Sequence, residues 1–359
     1  MRKGNKGEWS ELYTFLKLLS EGRLYAADAN LERIYDVYYP LIKILRLEKG
    51  EELQYFYTDE MIILEDEANN SSVKMPVSEF KDKSLLLLEE IKKAKGRSFS
   101  IGKIEEFLHA IQYDSLKAAS KDKSDIRIVV HDPNTGMRPT LGFSIKSRLG
   151  KAPTLLNPGK TTNFIYKIKG HINDKVMREI NNINVRSKIR ARMKSIKDKG
   201  LSLEFQKPSN EIFNLNLQII DSRMPDILAA LLKYFYDGMG PDMKGLLQLI
   251  QIENPCNFND AHGHKFYEYK IKSFMRDVAL GMVPSKMWGG KFDATGGYIV
   301  VREDGEILCY HIYNHNDFQE YLLQNIKFDT PSSSRYEFGE IYKEGDEYFI
   351  KLNLQLRFI

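Results

Sequence analysis

Ser124-Asp125-Ile126-Arg127-Ile128-Val129-Val130 and Gly142-Phe143-Ser144-Ile145-Lys146-Ser147 flank the turn sequence Asp132-Pro133-Asn134-Thr135-Gly136. Val, Ile and Phe favour strands and Pro-Asn-Thr-Gly supplies turn chemistry, so the segment predicts an antiparallel hairpin. A turn centred between Thr135 and Gly136 sets Asp125 opposite Lys146. Strand alternation then gives Asp125, Ser144 and Lys146 one face, and Ile126, Ile128, Phe143 and Ile145 the apolar other. Asp132 belongs to the turn. Asp122 also precedes the hairpin closely.

A carboxylate, an ammonium and a hydroxyl held side by side suit phosphodiester cleavage. Such hydrolysis uses a divalent cation to neutralise phosphate charge and acidify water, and Mg²⁺ is held by one or two carboxylates plus waters and substrate oxygens. Asp125 is the candidate ligand, and the Lys146 ammonium can orient the water and offset developing charge. A cross-strand surface salt bridge is the competing reading of the same residues.

Upstream, Gly4-Asn5-Lys6-Gly7-Glu8-Trp9-Ser10-Glu11-Leu12 leads into Phe15, Leu16, Leu18 and Leu19, apolar spacing that predicts an amphipathic helix with Glu8 and Glu11 on one face. Gly7-x-x-x-Glu11 resembles the first-helix signature of the PD-(D/E)XK nuclease superfamily. The same N-terminal stretch resembles more closely the HpaII family of type II restriction endonucleases. So do Ser144-Ile145-Lys146-Ser147-x-Leu149-Gly150, Thr154-Leu155-Leu156-Asn157, Thr162-Asn163-Phe164 and the terminal Lys351-Leu352-Asn353-Leu354-Gln355-Leu356-Arg357-Phe358.

The resemblance spans the chain. It implies a Mg²⁺-dependent endonuclease, with Mn²⁺ as a substitute, that cuts double-stranded DNA at CCGG, beside a cognate DNA methyltransferase protecting the same site. The implied fold is mixed α/β, a PD-(D/E)XK core whose mixed central sheet is flanked by helices, with a C-terminal α+β extension. Asp125 and Glu11 would hold the metal, Lys146 would position the water, and Ser144 would hydrogen-bond a water of the metal. Ser144 departs from the superfamily pattern, which places Asp or Glu there. A hydroxyl brings no charge, so Glu11 or Glu8 must compensate or metal affinity falls. A DNA-binding protein of nuclease descent with little cleavage is the alternative.

The 359 residues carry a formal charge of +4 and a pI near 8.7, mildly basic. Between Arg186 and Lys199, seven Lys or Arg meet one acid, Asp198, with Val185, Ile189, Met193 and Ile196 at helical spacing. Lys188, Arg190, Arg192 and Lys194 are therefore candidates for phosphate contacts, with a solvated helix face as the bland alternative. Base contacts are expected from loops around Lys160 and Thr161 and from Lys286 to Lys291. No apolar run is long enough to span a membrane, and the polar N-terminus lacks a signal-peptide pattern. Two cysteines, Cys256 and Cys309, fit a reducing cytoplasm without a disulfide framework. The chain is expected to act as a homodimer or a monomer.

Along the chain, Asp28 to Leu45 reads as helical, Glu52 to Leu64 as two strands, Asn69 to Ser72 as a loop, Ser78 to Gly96 and Ile104 to Ile111 as helices, and Thr162 to Ile168 as a strand. Farther on, Leu215 to Ile220 reads as a strand, Met224 to Tyr236 and Phe266 to Leu280 as helices, and Gly297 to Arg302, Ile307 to Tyr313 and Tyr348 to Phe358 as strands. A nuclease core over 1–175 and a DNA-recognition region over 176–359 is the expected division. Gly289-Gly290 and Gly296-Gly297 suit either tight turns or close backbone approach to DNA.

Overall fold

The computed structural model describes residues 1–66, 71–116 and 124–359, so Asn69, Asn70 and Asp122 lie outside the described residues. The chain opens with α1 (Lys6–Glu21), β1 (Arg23–Ala27), β2 (Arg33–Glu48), β3 (Glu51–Tyr57), β4 (Met61–Asp66), β5 (Ser71–Pro76), α2 (Val77–Lys93) and α3 (Glu105–Ala110). It continues through β6 (Ile126–Val130), β7 (Thr140–Ser147), β8 (Thr154–Leu156), β9 (Asn163–Lys169), α4 (Asp174–Asn181) and α5 (Lys188–Asp198). Then follow β10 (Ser202–Pro208), α6 (Glu211–Ile220), α7 (Met224–Tyr236), α8 (Met243–Glu253) and α9 (Phe266–Leu280). The last elements are β11 (Gly297–Val301), β12 (Ile307–Tyr310), α10 (His315–Asn325), β13 (Ile326–Phe328), α11 (Ser333–Tyr336), β14 (Ile341–Glu344), β15 (Glu347–Asn353) and β16 (Leu356–Phe358). Among the described residues no helix is long and apolar enough to cross a membrane.

Two compact units form, Met1–Pro153 with Phe292–Tyr321 and Thr154–Lys291 with Leu322–Ile359. They cross the 175/176 division expected from the sequence: residues 154–175 belong to the second unit, and residues 292–321 return to the first.

The first unit is built on a nine-stranded mixed sheet of order β1-β12-β11-β7-β6-β2-β3-β4-β5. β1–β12 and β11–β7 are its parallel pairs. β2 is long enough to pair with β1 through Arg33–Pro40 and with β6 and β3 beyond that point, so the order closes back on itself. The expected helix over Asp28 to Leu45 is thus corrected to β2. Ile34, Val37, Tyr38, Leu41 and Leu45 mimic helical spacing, but the stretch is β-branched and aromatic, and Pro40 would break a helix interior.

α1 carries the core. Asn5 caps it in a reciprocal box with Glu8, and Gly22, at φ 66°, closes its end with an N–H to Leu18 O. Trp9, Leu12, Leu16 and Leu19 are fully buried on it, each contributing roughly 1.5–3 kcal/mol by leaving water. Two hydrogen bonds tie its first turns to the end of β7: Ser10 Oγ to Ser147 Oγ at 2.8 Å and Lys6 Nζ to Leu149 O at 3.2 Å.

The second unit contains a sheet of order β10-β9-β15-β14 and a three-stranded sheet β13-β16-β8, with α4 to α9 and α11. The expected strand over Leu215 to Ile220 is corrected to the second half of α6. Leu215 and Ile219 stay exposed while Phe213 and Leu217 are buried, so the helix is apolar on both sides and its period is hidden.

Candidate active site

The hairpin β6–β7 exists with the expected faces, but its register differs. Ile126 pairs with Phe143 and Arg127 with Gly142, and the Asp125 N–H donates to Phe143 O at 2.9 Å. Asp125 therefore stands opposite Ser144, not Lys146. The shift is two residues, and an even shift leaves every side chain on its face. Ile126, Ile128, Phe143 and Ile145 are buried. The displacement comes from the connection: β6 ends at Val130 and β7 starts only at Thr140, so the turn sequence is part of a longer loop. In that loop Asp132 accepts from the Tyr313 hydroxyl at 2.6 Å, the Thr135 hydroxyl and Asn134 N–H. These bonds, Tyr313 first, hold its carboxyl down at about 2.

Asp125 Oδ2 accepts from Ile145 N–H at 2.6 Å and from the Ser144 hydroxyl at 3.2 Å. The Ser144 hydroxyl thus orients the carboxylate, and Asp125 Oδ1 makes no hydrogen bond among the described residues. Lys146, one alternation along β7, is half-buried and forms no ion pair among the described residues. β7 is an interior strand between β11 and β6, which fixes Lys146 against Val300 in register.

Glu11 comes from α1 and lines one cavity with Asp125 and Arg46, backed by Phe15, Ile44 and Tyr113. The enclosed space, about 20 Å³, is of the size of a single small polar species. Burial pushes the Glu11 carboxyl up to about 8; the Asp125 charge adds to this, while Lys146 and Arg46 pull the other way. A carboxyl raised by desolvation and a like charge is a group that a cation would relieve. Glu8 is not part of this cavity. Its Oε2 accepts the Asn5 N–H at 2.8 Å as one half of the capping box.

No group of three or more His, Cys, Asp or Glu suited to a metal occurs among the described residues. Two hard oxygen carboxylates, Glu11 and Asp125, are nevertheless the minimal protein set for Mg²⁺, which keeps most of its waters and binds substrate phosphate. Their donor chemistry fits that ion and argues against a soft one.

Arg46 and Tyr113 join the cavity without any signal in the sequence. Arg46 on β2 lies 3.7 Å over the Tyr113 ring, pairs with Glu48 and donates to Ser115 O. No local motif marks it; only the pairing of β2 with β6 brings it to the cavity wall.

The candidate DNA contacts belong to the second unit and divide sharply. Arg192 is corrected: it is 2% exposed, its guanidinium donates to Gly339 O at 2.6 Å and to Asn181 O, and it is inaccessible to phosphate. Lys194 pairs with Asp198 one turn on, and Lys160 with Glu337. Lys188 is half-buried, Arg190 is exposed, and Lys286 and Lys291 are exposed on either side of buried Trp288. Thr161 sits half-buried in the short turn before β9. Trp288 is a packing residue whose ring N–H donates to Lys291 O at 2.8 Å. Gly296 and Gly297 serve the sheet: a Cβ on Gly297, at φ 114°, would meet Tyr310 O at 2.0 Å.

A profile of the family described as HpaII restriction endonuclease matches residues 5–358. The chain is 47% identical over 357 residues to the type II restriction enzyme HpaII of Haemophilus parainfluenzae, covering 99% of this chain and 98% of that enzyme. No solved structure matches the chain.

Proposed function

The chain belongs to the HpaII family of type II restriction endonucleases, site-specific deoxyribonucleases, and from that membership we propose that it cuts duplex DNA at CCGG with Mg²⁺ at the cavity between α1 and the β6–β7 hairpin. The observation that carries this is the meeting of Glu11 and Asp125 from separate elements in one cavity, with the Lys146 charge felt there. The sheet and helices of the first unit are read as a PD-(D/E)XK core, and the second unit as the main DNA-recognition region.

Asp125 and Glu11 would hold the cation, which would supply charge neutralisation at the phosphate and a more acidic water. Lys146 provides a compact positive group on the hairpin face, available to orient the attacking water and to stabilise charge gathering on the phosphate oxygens. Ile145 N–H and the Ser144 hydroxyl fix Asp125 Oδ2 and so orient the carboxylate that would hold the ion. Ser144 thereby acts by positioning, and Glu11 supplies the negative charge that the hairpin lacks. Mn²⁺, also a hard acceptor of carboxylate oxygen, is expected to substitute. A host methyltransferase modifying the same sequence is the expected partner activity.

Incubating purified protein with a plasmid carrying mapped CCGG sites and Mg²⁺ tests this. Discrete fragments ending at those sites are expected; bound but intact DNA, or fragments mapping to another sequence, would overturn the proposal.

A further inference from the structure

The start of α5 and the Thr330–Ser333 segment enclose a groove of about 510 Å³ in the second unit. Arg186, Lys188 and Arg190 line one wall, and Thr330, Ser332 and Ser333 the other. Among the described residues no acid lines it. We propose that this groove clamps the phosphate backbone of DNA, an assignment that rests on the nuclease reading for the identity of the polyanion.

The packing of α5 explains why these cations face outward. Ile189, Arg192, Met193 and Ile196 are buried, so the helix cannot rotate without exposing three apolar side chains and an internally bonded guanidinium. Arg186 and Arg190 remain exposed and Lys188 half-exposed. None of the three forms an ion pair among the described residues, unlike Lys194 and Lys160. Arg190 is held 5.3 Å from the Phe235 ring centroid, a cation–π placement that limits its motion while leaving its N–H groups available. Asp329, the acid beside the groove, is already engaged by Arg357 at 3.2 Å.

Three cations without ion pairs among the described residues stand opposite a hydroxyl wall in which Ser332 caps α11 by accepting the Arg335 N–H and Thr330 bonds the Tyr236 hydroxyl. The cations carry the match to the donor set that backbone phosphates take from proteins, in which Arg and Lys neutralise, and Ser333 adds a hydroxyl. Such bonds position a duplex without reading its bases. Of the phosphate-binding candidates Lys188, Arg190, Arg192 and Lys194, the groove keeps the first two, excludes Arg192, and adds Arg186 with the opposite hydroxyl wall.

The test uses the full chain without divalent cation, so that DNA stays intact, and measures affinity at several salt concentrations for a CCGG duplex and a scrambled duplex. Arg186→Gln/Lys188→Gln/Arg190→Gln should weaken both equally and flatten the dependence of log K on log salt by about 0.9 for each phosphate no longer neutralised, up to about 2.7. The single variants Arg186→Gln and Lys188→Gln, each removing a surface charge only, should give about a third of that change and guard against a folding defect in the triple. An unchanged slope, or a loss confined to the CCGG duplex, overturns the clamp. Plasmid cleavage by the wild type with Mg²⁺ is scored separately: a clamp that fails leaves the nuclease reading standing, and uncut plasmid refutes the nuclease without touching the slopes.

Discussion

The cavity at Glu11 and the outer face of α5 are both charged, but they use charge in opposite ways. At the cavity the Glu11 carboxyl is drawn out of water, and the charges around it act on it in opposite senses: Asp125 raises it, and Lys146, on the neighbouring strand β7, and Arg46 oppose the rise. On α5 the cations are of one sign and face solvent, where salt screens them and contributions add. Removing one charge should therefore be catastrophic in the first place and graded in the second. Within α5 itself Arg192 and Arg190 make the same contrast between an internal strut and a surface charge.

The largest expected effect is on cleavage. Asp125→Asn and Lys146→Ala should each slow single-turnover cutting by ~10²-fold or more, with duplex binding retained, because each acts chiefly on transition-state charge. Drops smaller than about tenfold would make the cavity as additive as the helix and break the comparison. Next comes stability. Arg192→Ala strands the Gly339 and Asn181 carbonyls and should cost about 3 kcal/mol in denaturant unfolding, at about 1.5 for each charged hydrogen bond removed, whereas Arg186→Ala should stay within ~0.5 kcal/mol. Equal costs would erase the distinction between strut and surface charge.

A smaller effect sharpens the cavity's side of the comparison. Glu11 stands at about 8 in the folded chain against an ordinary 4.5, so between those pH values the folded state binds more protons than the unfolded one. Stability of the metal-free protein should therefore fall as pH rises from 4.5 to 8, and Glu11→Gln should flatten that fall. Identical thermal-shift profiles for both proteins over this window would mean that Glu11 ionises normally. Smallest are the changes at supporting positions. Ser144→Ala removes one of two bonds to Asp125 Oδ2 and should slow cleavage less than Asp125→Asn. Glu8→Gln weakens a capping box, worth about 0.5–1 kcal/mol of stability, and should leave the cutting rate near normal. A Glu8 variant more defective in cutting than Glu11→Gln would shift the carboxylate role one turn.

The hairpin faces and the helix that carries Glu11 are legible in the sequence because they rest on alternation and on strong apolar spacing. Hairpin faces follow from a period of two and survive a wrong register, which is why Asp125, Ser144 and Lys146 are co-facial although the pairing differs by two. Register itself depends on where strands start, and nothing local shows that β7 waits until Thr140. β2 escapes a sequence reading because its apolar spacing imitates a helix and its two halves pair with different neighbours, and this conceals Arg46. Arg192 is legible in principle: at Ile189 plus three and Ile196 minus four it shares the buried face. The Thr330–Ser333 wall is not, since only tertiary folding brings it beside α5.

Central to the proposed mechanism is the reading of Glu11 and Asp125 as one divalent-cation site. The most direct measurement is the Mg²⁺ concentration giving half-maximal single-turnover cleavage of a duplex with one CCGG, compared among wild type, Glu11→Gln and Asp125→Asn. Both variants should need markedly more Mg²⁺ than wild type, and chelation should stop all three. A Glu11→Gln enzyme with the wild-type Mg²⁺ requirement, or cutting that continues in chelator, would contradict a shared site.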